Sequence, residues 1–174
     1  MSRVLYLFTC GAPLAARIGD GITAARAAGW TPAVIPTEAS LAWIPDDALA
    51  DVPHISGHRQ PGQEKRLPPA DAVAVVPMTF NTLTAWATGR ADTYPLATLC
   101  ARLGAGTPCV AVPFAKHDLA GHPAWTTSLD LLRRSGVVLV DPSTGTRDHV
   151  ESTPSGQGDA ITAAFRWDWV LDVF

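Results

Sequence analysis

Residues 70–82 read Ala-Asp-Ala-Val-Ala-Val-Val-Pro-Met-Thr-Phe-Asn-Thr. The run from Ala72 to Val76 is continuously apolar, as in a strand that is buried on both faces of a parallel sheet. Hydrogen-bonding side chains follow at once, at Thr79, Asn81 and Thr82. The pattern from Thr79 to Ala87 then predicts a helix. A buried strand, a polar turn and a helix in this order are typical of an α/β fold.

Four similar apolar runs lie on either side of this stretch. They are Val4 to Phe8, Pro32 to Ile35, Cys109 to Val112 and Val137 to Val140. Each run is short and bounded by Pro, Gly or Asp, and helical patterns lie between most of them. The sequence therefore predicts one domain over residues 1–174. Its expected architecture is a Rossmann-like, three-layer α/β/α sandwich with a mostly parallel sheet.

Apolar residues at helical spacing predict the helices that cover this sheet. Besides Thr79 to Ala87, they are expected at Leu14 to Ala25, Leu96 to Leu103 and Pro123 to Arg134. Near the C-terminus, four large apolar residues stand four positions apart: Ile161, Phe165, Trp169 and Val173. This spacing predicts one C-terminal helix whose aromatic stripe faces the core or a subunit interface.

Composition excludes several classes of protein. With 174 residues, 47% of them hydrophobic and 17% charged, the chain can build a real core. A net charge of -3 leaves no large basic surface, since the adjacent basic pairs are Lys65-Arg66 and Arg133-Arg134. We therefore expect no nucleic-acid partner. No apolar run approaches the roughly 20 residues that cross a bilayer, so no membrane association is expected either.

The cysteines and histidines favour neither a disulfide framework nor a metal site. Three cysteines, Cys10, Cys100 and Cys109, are odd in number and match no Cys-x-x-Cys pattern. This usage favours a reducing compartment, and we expect a cytoplasmic protein. His117 and His122 lack the i, i+4 spacing of ligands on a helix, so no metal is expected.

The residues that follow each strand are the first candidates for binding, because open parallel sheets bind ligands at the carboxyl ends of their strands. Gly11 and Ala12 follow the first strand, where small residues let backbone N–H groups approach a phosphate. A tight turn also needs glycine for geometry alone. Thr37 and Ser40 follow the second strand, and their hydroxyls suit either a phosphate or a helix cap. Both interpretations stay open at both loops.

Residues 70–82 resemble the strand and Pro-Ala-Ser-Ala-Asn-Thr motif of the homo-oligomeric flavin-containing cysteine decarboxylases. This family includes the phosphopantothenoylcysteine and lantibiotic peptidyl-cysteine decarboxylases. Three other segments resemble the family's phosphate turn, its second-strand loop and its Gly-x-x-Asp-Asn motif: Gly11-Ala12, residues 37–41 and residues 89–92. Residues 113–123 keep the family's spacing between two prolines. The resemblance covers residues 3–141.

The resemblance implies FMN as the cofactor. It implies a phosphate site at Gly11, Ala12, Thr37 and Ser40, and a ring site at Thr79, Asn81, Thr82 and Asp92. It also implies a flavin held between subunits of a homo-oligomer, a trimer or a dodecamer. The implied reaction is oxidative decarboxylation of a C-terminal cysteine of a peptide, or of a small thiol, to an enethiol.

The chain departs from the family pattern at positions that carry chemistry. Gln63 stands where the family has a histidine, and the nearest substitute is His58, in a polar loop over residues 54–69 that is a candidate lid. Lys116 stands where the family has an asparagine that binds the substrate carboxylate. We therefore expect His58, Asn81 and Lys116 as catalytic residues, with a solvated loop histidine as the alternative for His58.

Three functions remain open on the sequence. The first is the cysteine decarboxylase, and because no cysteine follows Cys109, its product is expected to stay an enethiol. The second is a flavin-dependent redox or flavin-binding protein without decarboxylase activity. The third is a structural oligomer without flavin, since a fold alone does not define a function.

Overall fold

The computed structural model describes residues 3–64, 67–147 and 149–174. Its strands are β1 (Arg3–Thr9), β2 (Trp30–Pro36), β3 (Ala72–Met78), β4 (Cys109–Pro113) and β5 (Val138–Leu139). They form one sheet in the order β2-β1-β3-β4-β5, and every neighbouring pair is parallel. The predicted α/β fold is confirmed.

Seven α-helices and two short 3₁₀ helices connect the strands within the described residues. The α-helices are α1 (Ile18–Ala27), α2 (Phe80–Ala87), α3 (Tyr94–Gly104), α4 (His117–Ala120), α5 (Pro123–Arg134), α6 (Gly158–Ala164) and α7 (Asp168–Leu171). The 3₁₀ helices are Pro13–Arg17 and Glu38–Ser40. None of the described helices is long and apolar enough to cross a membrane.

Two hydrophobic cores lie on opposite faces of the sheet. Because successive side chains of a strand alternate between faces, Tyr6 and Phe8 of β1 belong to one core while Leu5 and Leu7 belong to the other. The first core is closed by α2, α3 and α5, and the second by α1 and the C-terminal segment. The chain therefore has the three layers that the alternating pattern predicted.

The prediction of a single C-terminal helix is wrong. The chain instead forms α6 and α7, separated at Phe165, whose backbone is extended (φ -61°, ψ 139°). The break lets Trp167 enter the core, and its indole Nε1–H donates to the carbonyl oxygen of Arg17 at 3.1 Å. Trp167 also packs onto Gly21 of α1, so tertiary packing overrides the helical period.

Short irregular segments pair with both edges of the sheet. On the β2 edge, the Val34 N–H donates to Pro53 O at 2.8 Å, and Val34 O accepts from the Ile55 N–H at 3.1 Å. At the other edge, Val140 forms an antiparallel bridge with Arg147. The strand predicted at residues 137–140 is accordingly shortened to β5, because the chain reverses direction after Val140.

The loop over residues 54–69 has no helix or strand in its described part, residues 54–64 and 67–69. Its one bridge joins His54 to Val34. The basic pair Lys65-Arg66, which the sequence singled out, lies outside the described residues. The role of this loop as a lid stays a prediction.

Candidate functional site

A cavity of about 790 Å³ lies at the carboxyl ends of β1 to β4. Loops that follow each of these four strands line it, together with a later segment around Thr153 and Pro154. Its volume falls within the range of about 300–1,000 Å³ that is usual for small-molecule and cofactor sites. The cavity is thus where the topology of an open parallel sheet places a ligand.

The loops after β1, β2 and β3 are fixed to one another by backbone hydrogen bonds. The Cys10 N–H donates to Pro77 O at 3.2 Å, and the Thr37 N–H donates to Thr9 O at 3.0 Å. Gly11 lies against the backbone of Ala39. The small-residue turn and the hydroxyl-bearing turn predicted from the sequence therefore form one continuous wall.

The hydroxyls after β2 have different environments. Thr37 lines the cavity, and its buried Oγ1 has no hydrogen-bond partner within the described residues. The Ser40 side chain is fully buried, and its Oγ–H donates to the Thr37 carbonyl oxygen at 2.7 Å. Ser40 is not among the cavity-lining residues, so the structure gives it a part in shaping the turn that presents Thr37.

The polar cluster after β3 is brought into the cavity as a unit. Thr79, Asn81 and Thr82 all line it. The Thr82 hydroxyl oxygen accepts from the Cys10 thiol at 3.2 Å, and the Thr79 hydroxyl donates to the same oxygen at 3.4 Å. Burial raises the pKa of the Cys10 thiol, so this thiol stays protonated and serves as a donor.

Charged side chains of both signs reach the cavity. Arg90 and Lys116 supply positive charge, and Glu38 supplies one carboxylate. Asp92 is not among the lining residues, although its carboxylate lies 3.4 Å from Arg90 Nε and so holds the guanidinium that does line the cavity. Two of the three expected catalytic residues, Asn81 and Lys116, line this cavity.

Thr153 is a site residue that sequence reasoning missed. It pairs with Lys116 in a parallel bridge, its N–H donates to Ala115 O at 2.8 Å, and its Oγ1 is buried without a partner in the described part of the chain. A local pattern gives no signal for this pairing, because Thr153 reaches the cavity only through the fold. The polar segment between β5 and Thr153 has no regular spacing of apolar residues from which a structure could be predicted.

Asp141 anchors the segment that leads to Thr153. Its carboxylate Oδ1 accepts from the Ser143 N–H at 2.9 Å, and from the Thr144 N–H and hydroxyl at 2.9 and 3.0 Å. Its Oδ2 accepts from the Glu151 N–H at 3.0 Å. Because the side chain is buried, these bonds fix both ends of the loop between β5 and Thr153.

His58 is not brought to this cavity in the structure. Its imidazole packs edge-on against the Tyr94 ring, with 5.6 Å between the ring centroids, and both residues line a second cavity. Ser56, two residues earlier, does line the first cavity. The start of α3 stands between His58 and the residues expected to share its chemistry.

Within the described residues, no group of three or more His, Cys, Asp or Glu side chains is placed to hold a metal ion. The polar groups of the first cavity are instead hydroxyls, one amide, two cations and one carboxylate. Hydroxyls and cations suit an anionic organic ligand.

An open parallel sheet with a cofactor-sized cavity beyond its strand ends is the arrangement in which α/β proteins bind nucleotide cofactors. The small-residue turn at Gly11 and the hydroxyl turn at Thr37 fit a phosphate at that cavity. The chain belongs to the Flavoprotein family, which it matches over residues 32–159. The family resemblance read from the sequence is thereby confirmed.

Curated relatives with related sequences include CoaBC proteins of two species. The coenzyme A biosynthesis bifunctional protein CoaBC of Mycobacterium bovis is 35% identical over 125 residues, which are 64% of this chain and 28% of that protein. The CoaBC protein of Mycolicibacterium smegmatis is 31% identical over 139 residues, 73% of this chain and 32% of that protein. The chain thus spans less than a third of the length of these relatives.

Solved structures share the fold at lower sequence identity. A PPC decarboxylase mutant complexed with pantothenoylaminoethenethiol has a TM-score of 0.69 at 19% identity, covering 82% of this chain and 83% of that one. The FMN binding protein AtHal3 has a TM-score of 0.70 at 17% identity, covering 94% of both chains. The FMN-dependent cysteine decarboxylase SpaF has a TM-score of 0.66 at 21% identity, covering 94% of this chain and 95% of that one.

Proposed function

We propose that the first cavity binds FMN, with its phosphate at the Gly11–Ala12 turn and Thr37, and its ring beside Thr79 and Asn81. The observation that carries this proposal is a pair of cavity-lining threonines, Thr37 and Thr153, whose buried Oγ1 atoms have no hydrogen-bond partner in the described residues. A buried hydroxyl without a hydrogen bond costs about 1–3 kcal/mol, and a polar ligand removes that cost.

The walls of the cavity also suit a flat aromatic ring. Phe114, Leu96 and Pro13 supply apolar surface next to the hydroxyls of the β3 loop. A mainly apolar wall with a few convergent polar groups is the usual composition of a cofactor site. Family membership and the FMN proteins of the same fold agree with FMN as the cofactor.

The proposed reaction is oxidative decarboxylation of a C-terminal cysteine of a peptide, or of a small thiol, to an enethiol. The substrate loses two hydrogen atoms and carbon dioxide, and bound FMN supplies the acceptor for the two electrons. The Lys116 ammonium pairs with the substrate carboxylate as a point charge. The Asn81 amide offers both donors and an acceptor beside the ring.

His58 is proposed as the acid–base or substrate-positioning group of this reaction. A proton donor or acceptor has to come within hydrogen-bond reach of the reacting atom. Since His58 lies in the second cavity, this role requires the loop over residues 54–69 to carry it across the start of α3. The imidazole is exposed, so no core packing opposes such a movement.

The position of His58 also favours a second candidate function, a flavin-dependent redox or flavin-binding protein without decarboxylase activity. Among the described residues that line the first cavity, the ionisable side chains are Glu38, Arg90 and Lys116, and none is a histidine. Such a site binds a flavin and an anion without a general base of neutral pKa.

A homo-oligomer, a trimer or a dodecamer, is part of the proposal. Trp43 and Leu119 line the first cavity while 44% and 50% of their surfaces are exposed. Large apolar side chains at the rim of a site are typical of surfaces that a further subunit covers. Light scattering that reports only a monomer at micromolar concentration would contradict this part.

Anaerobic mixing of the FMN-loaded chain with a peptide that ends in cysteine separates the two functions. The decarboxylase predicts bleaching of the flavin absorbance and a product lighter by carbon dioxide and two hydrogen atoms. Stable flavin binding without bleaching or product supports the second function instead. Failure to bind FMN or FAD under any condition contradicts both.

Two variants test the assigned residues. Lys116→Met is expected to raise KM with little change in kcat, because it removes binding to the substrate carboxylate. His58→Asn is expected to abolish flavin bleaching while FMN stays bound. His149→Asn is the matched control, since that imidazole is exposed beside Glu151 at 3.5 Å. Equal bleaching by the His58 and His149 variants would remove His58 from the mechanism.

A further inference from the structure

A second cavity of about 570 Å³ lies on the other side of α3 from the first. Its walls are Tyr6 of β1, two parts of the loop over residues 54–69, and one face of α3. That face carries Tyr94, Ala97, Thr98, Ala101 and Arg102. Their spacing of three or four positions is that of one stripe along a helix. Thr93, Pro95 and Leu96 line the first cavity, so the start of this helix separates two distinct sites.

The charge around the second cavity is unbalanced. His58, Arg59 and Arg102 line it, whereas no aspartate or glutamate does among the residues that the structure describes. The chain as a whole has a net charge of -3. A concentration of basic groups in a concave, partly apolar site therefore runs against the overall charge and favours an anion there.

Arg102 is one of the described arginines without an aspartate or glutamate partner, and it is the half-buried one among the basic residues of this cavity. Four arginines lie within 4.0 Å of an aspartate: Arg17, Arg90, Arg133 and Arg166. Arg102 is half-buried and has no such carboxylate partner within the described ranges. Its charge lies close enough to the Tyr6 phenol to oppose the rise that burial causes in the pKa of that group. Arg102 thus lines the cavity without an acidic partner among the described residues.

The rest of the lining is apolar or aromatic. Ile55, Leu67 and Pro69 line the cavity, as do the Tyr6 and Tyr94 rings. The Tyr6 hydroxyl donates to Pro68 O at 2.5 Å, which fixes that ring against the loop. A ligand that fits both parts carries an oxyanion on a small apolar body.

We propose that this second cavity binds a small organic oxyanion, a carboxylate or phosphate monoester on an aromatic or aliphatic body, with Arg102 as its main partner. Arg59 adds positive charge at the exposed mouth, His58 adds ring nitrogens that can take part in hydrogen bonds, and Tyr94 provides an aromatic face. A guanidinium binds a carboxylate or a phosphate through two parallel N–H donors, so either group suits Arg102. Arg102 does not line the first cavity, so this proposal does not rest on FMN binding there.

Titration calorimetry on the full chain with saturating FMN tests the proposal, using phenyl phosphate, benzoate and uncharged benzyl alcohol as probes. We expect at least one of the two anions to bind and benzyl alcohol not to bind. The stronger anion shows whether the site prefers phosphate or carboxylate. Binding of benzyl alcohol as tight as that of the anions, or binding of no anion, overturns the proposal.

Variants then locate the bound anion. Arg102→Gln is expected to weaken binding about tenfold or more, since a hydrogen bond to a charged group contributes about 1.5–3 kcal/mol. Arg59→Gln, an exposed change that leaves the core intact, should weaken it by a smaller factor. The control Arg134→Gln removes an exposed guanidinium elsewhere and should leave binding unchanged.

Two outcomes exclude the second cavity. Binding that survives both Arg102→Gln and Arg59→Gln shows that neither guanidinium holds the anion. Binding lost in Arg90→Gln but retained in Arg102→Gln assigns the anion to the first cavity. Circular dichroism of each variant establishes that it is folded, and if Arg102→Gln does not fold, the Arg59→Gln and Arg90→Gln pair decides between the cavities.

Discussion

A Cβ atom on Gly11 would lie 2.7 Å from the carbonyl oxygen of Ala39. Cβ atoms in proteins essentially never lie within 3.0 Å of a non-bonded atom. The Ala39 oxygen belongs to the backbone, so no change of side-chain rotamer can relieve the clash. The turn after β1 and the turn after β2 therefore keep their spacing only while residue 11 lacks a side chain.

Gly11→Ala is accordingly expected to push the two turns apart and weaken FMN binding by about tenfold or more, a loss of roughly 1.4 kcal/mol. Quenching of flavin fluorescence on titration measures it. Gly104→Ala is the matched control, because its Cβ would meet nothing within 4 Å and alanine is the better helix former. Equal FMN affinity in the two variants would show that this contact does not shape the site.

Two glycines of α1 allow a paired test of the C-terminal docking. A Cβ on Gly21 would lie 2.4 Å from Trp167 Cζ2, whereas a Cβ on Gly19 would lie 3.7 Å from Ala48 Cβ, an ordinary contact. Gly21→Ala should lower the free energy of unfolding by about 1–3 kcal/mol through overpacking. Gly19→Ala should leave it unchanged or raise it by up to about 1 kcal/mol. Urea denaturation measures both, and similar stabilities would mean that Trp167 does not rest on this helix.

Asp141→Ala removes the acceptor of four hydrogen bonds at the loop before Thr153. We expect the free energy of unfolding to fall by about 2–3 kcal/mol, because the bonds are to a buried carboxylate. Asp130→Ala is the comparison, since it removes an exposed carboxylate that pairs with Arg133 at 3.0 Å, and should cost less than about 1 kcal/mol. Urea denaturation measures both. If Asp141→Ala lowers the free energy of unfolding no more than Asp130→Ala does, Asp141 does not anchor the loop before Thr153.

The buried Cys109 thiol is expected to lower the free energy of unfolding in alkali. Burial raises the pKa of its thiol from 9.0 to about 12. Below pH 9 the thiol is protonated in both the folded and unfolded states, so it gives no pH dependence. Between pH 9 and 12 it ionises only when unfolded, and the free energy of unfolding falls by up to about 1.4 kcal/mol per pH unit.

Denaturant melts across that pH range measure the effect. The fall should be shallower in Cys109→Ala, which has no thiol to ionise at this position, while the other groups that titrate in alkali are shared by both proteins. Identical slopes for the two proteins would mean that the Cys109 thiol ionises equally well when folded.

Local pattern was enough to predict the strands, because residues such as Val73 and Val110 lie in runs with no polar alternation, and only a sheet covered on both faces buries such runs. The same signal failed for the C-terminus. There the four-residue spacing of Phe165 and Trp169 predicted a continuous helix, but the helix is interrupted and Trp167 is buried against α1. Helical spacing indicates which residues would share one face of a helix. It does not indicate whether a tertiary contact will interrupt that helix.

The candidate site was predictable where it follows a strand. Thr37, Thr79 and Asn81 stand directly after β2 or β3, so topology alone brings them to the same edge of the sheet. Thr153 was beyond such reasoning, because its place depends on the Asp141 loop and on pairing with Lys116. His58 lies in a long loop without a regular spacing of apolar residues. The local sequence therefore does not determine on which side of α3 this side chain lies.

The pairing of both sheet edges limits how copies of this chain join. Val34 on one edge already exchanges hydrogen bonds with residues 53 and 55, and Val140 near the other already bridges to Arg147. At these positions an incoming strand finds its hydrogen-bonding partners taken, which protects the chain against edge-to-edge growth into aggregates. In the proposed homo-oligomer, subunits would then meet through helices and loops, so the symmetry would depend on how whole subunits are rotated and not on the register of paired strands.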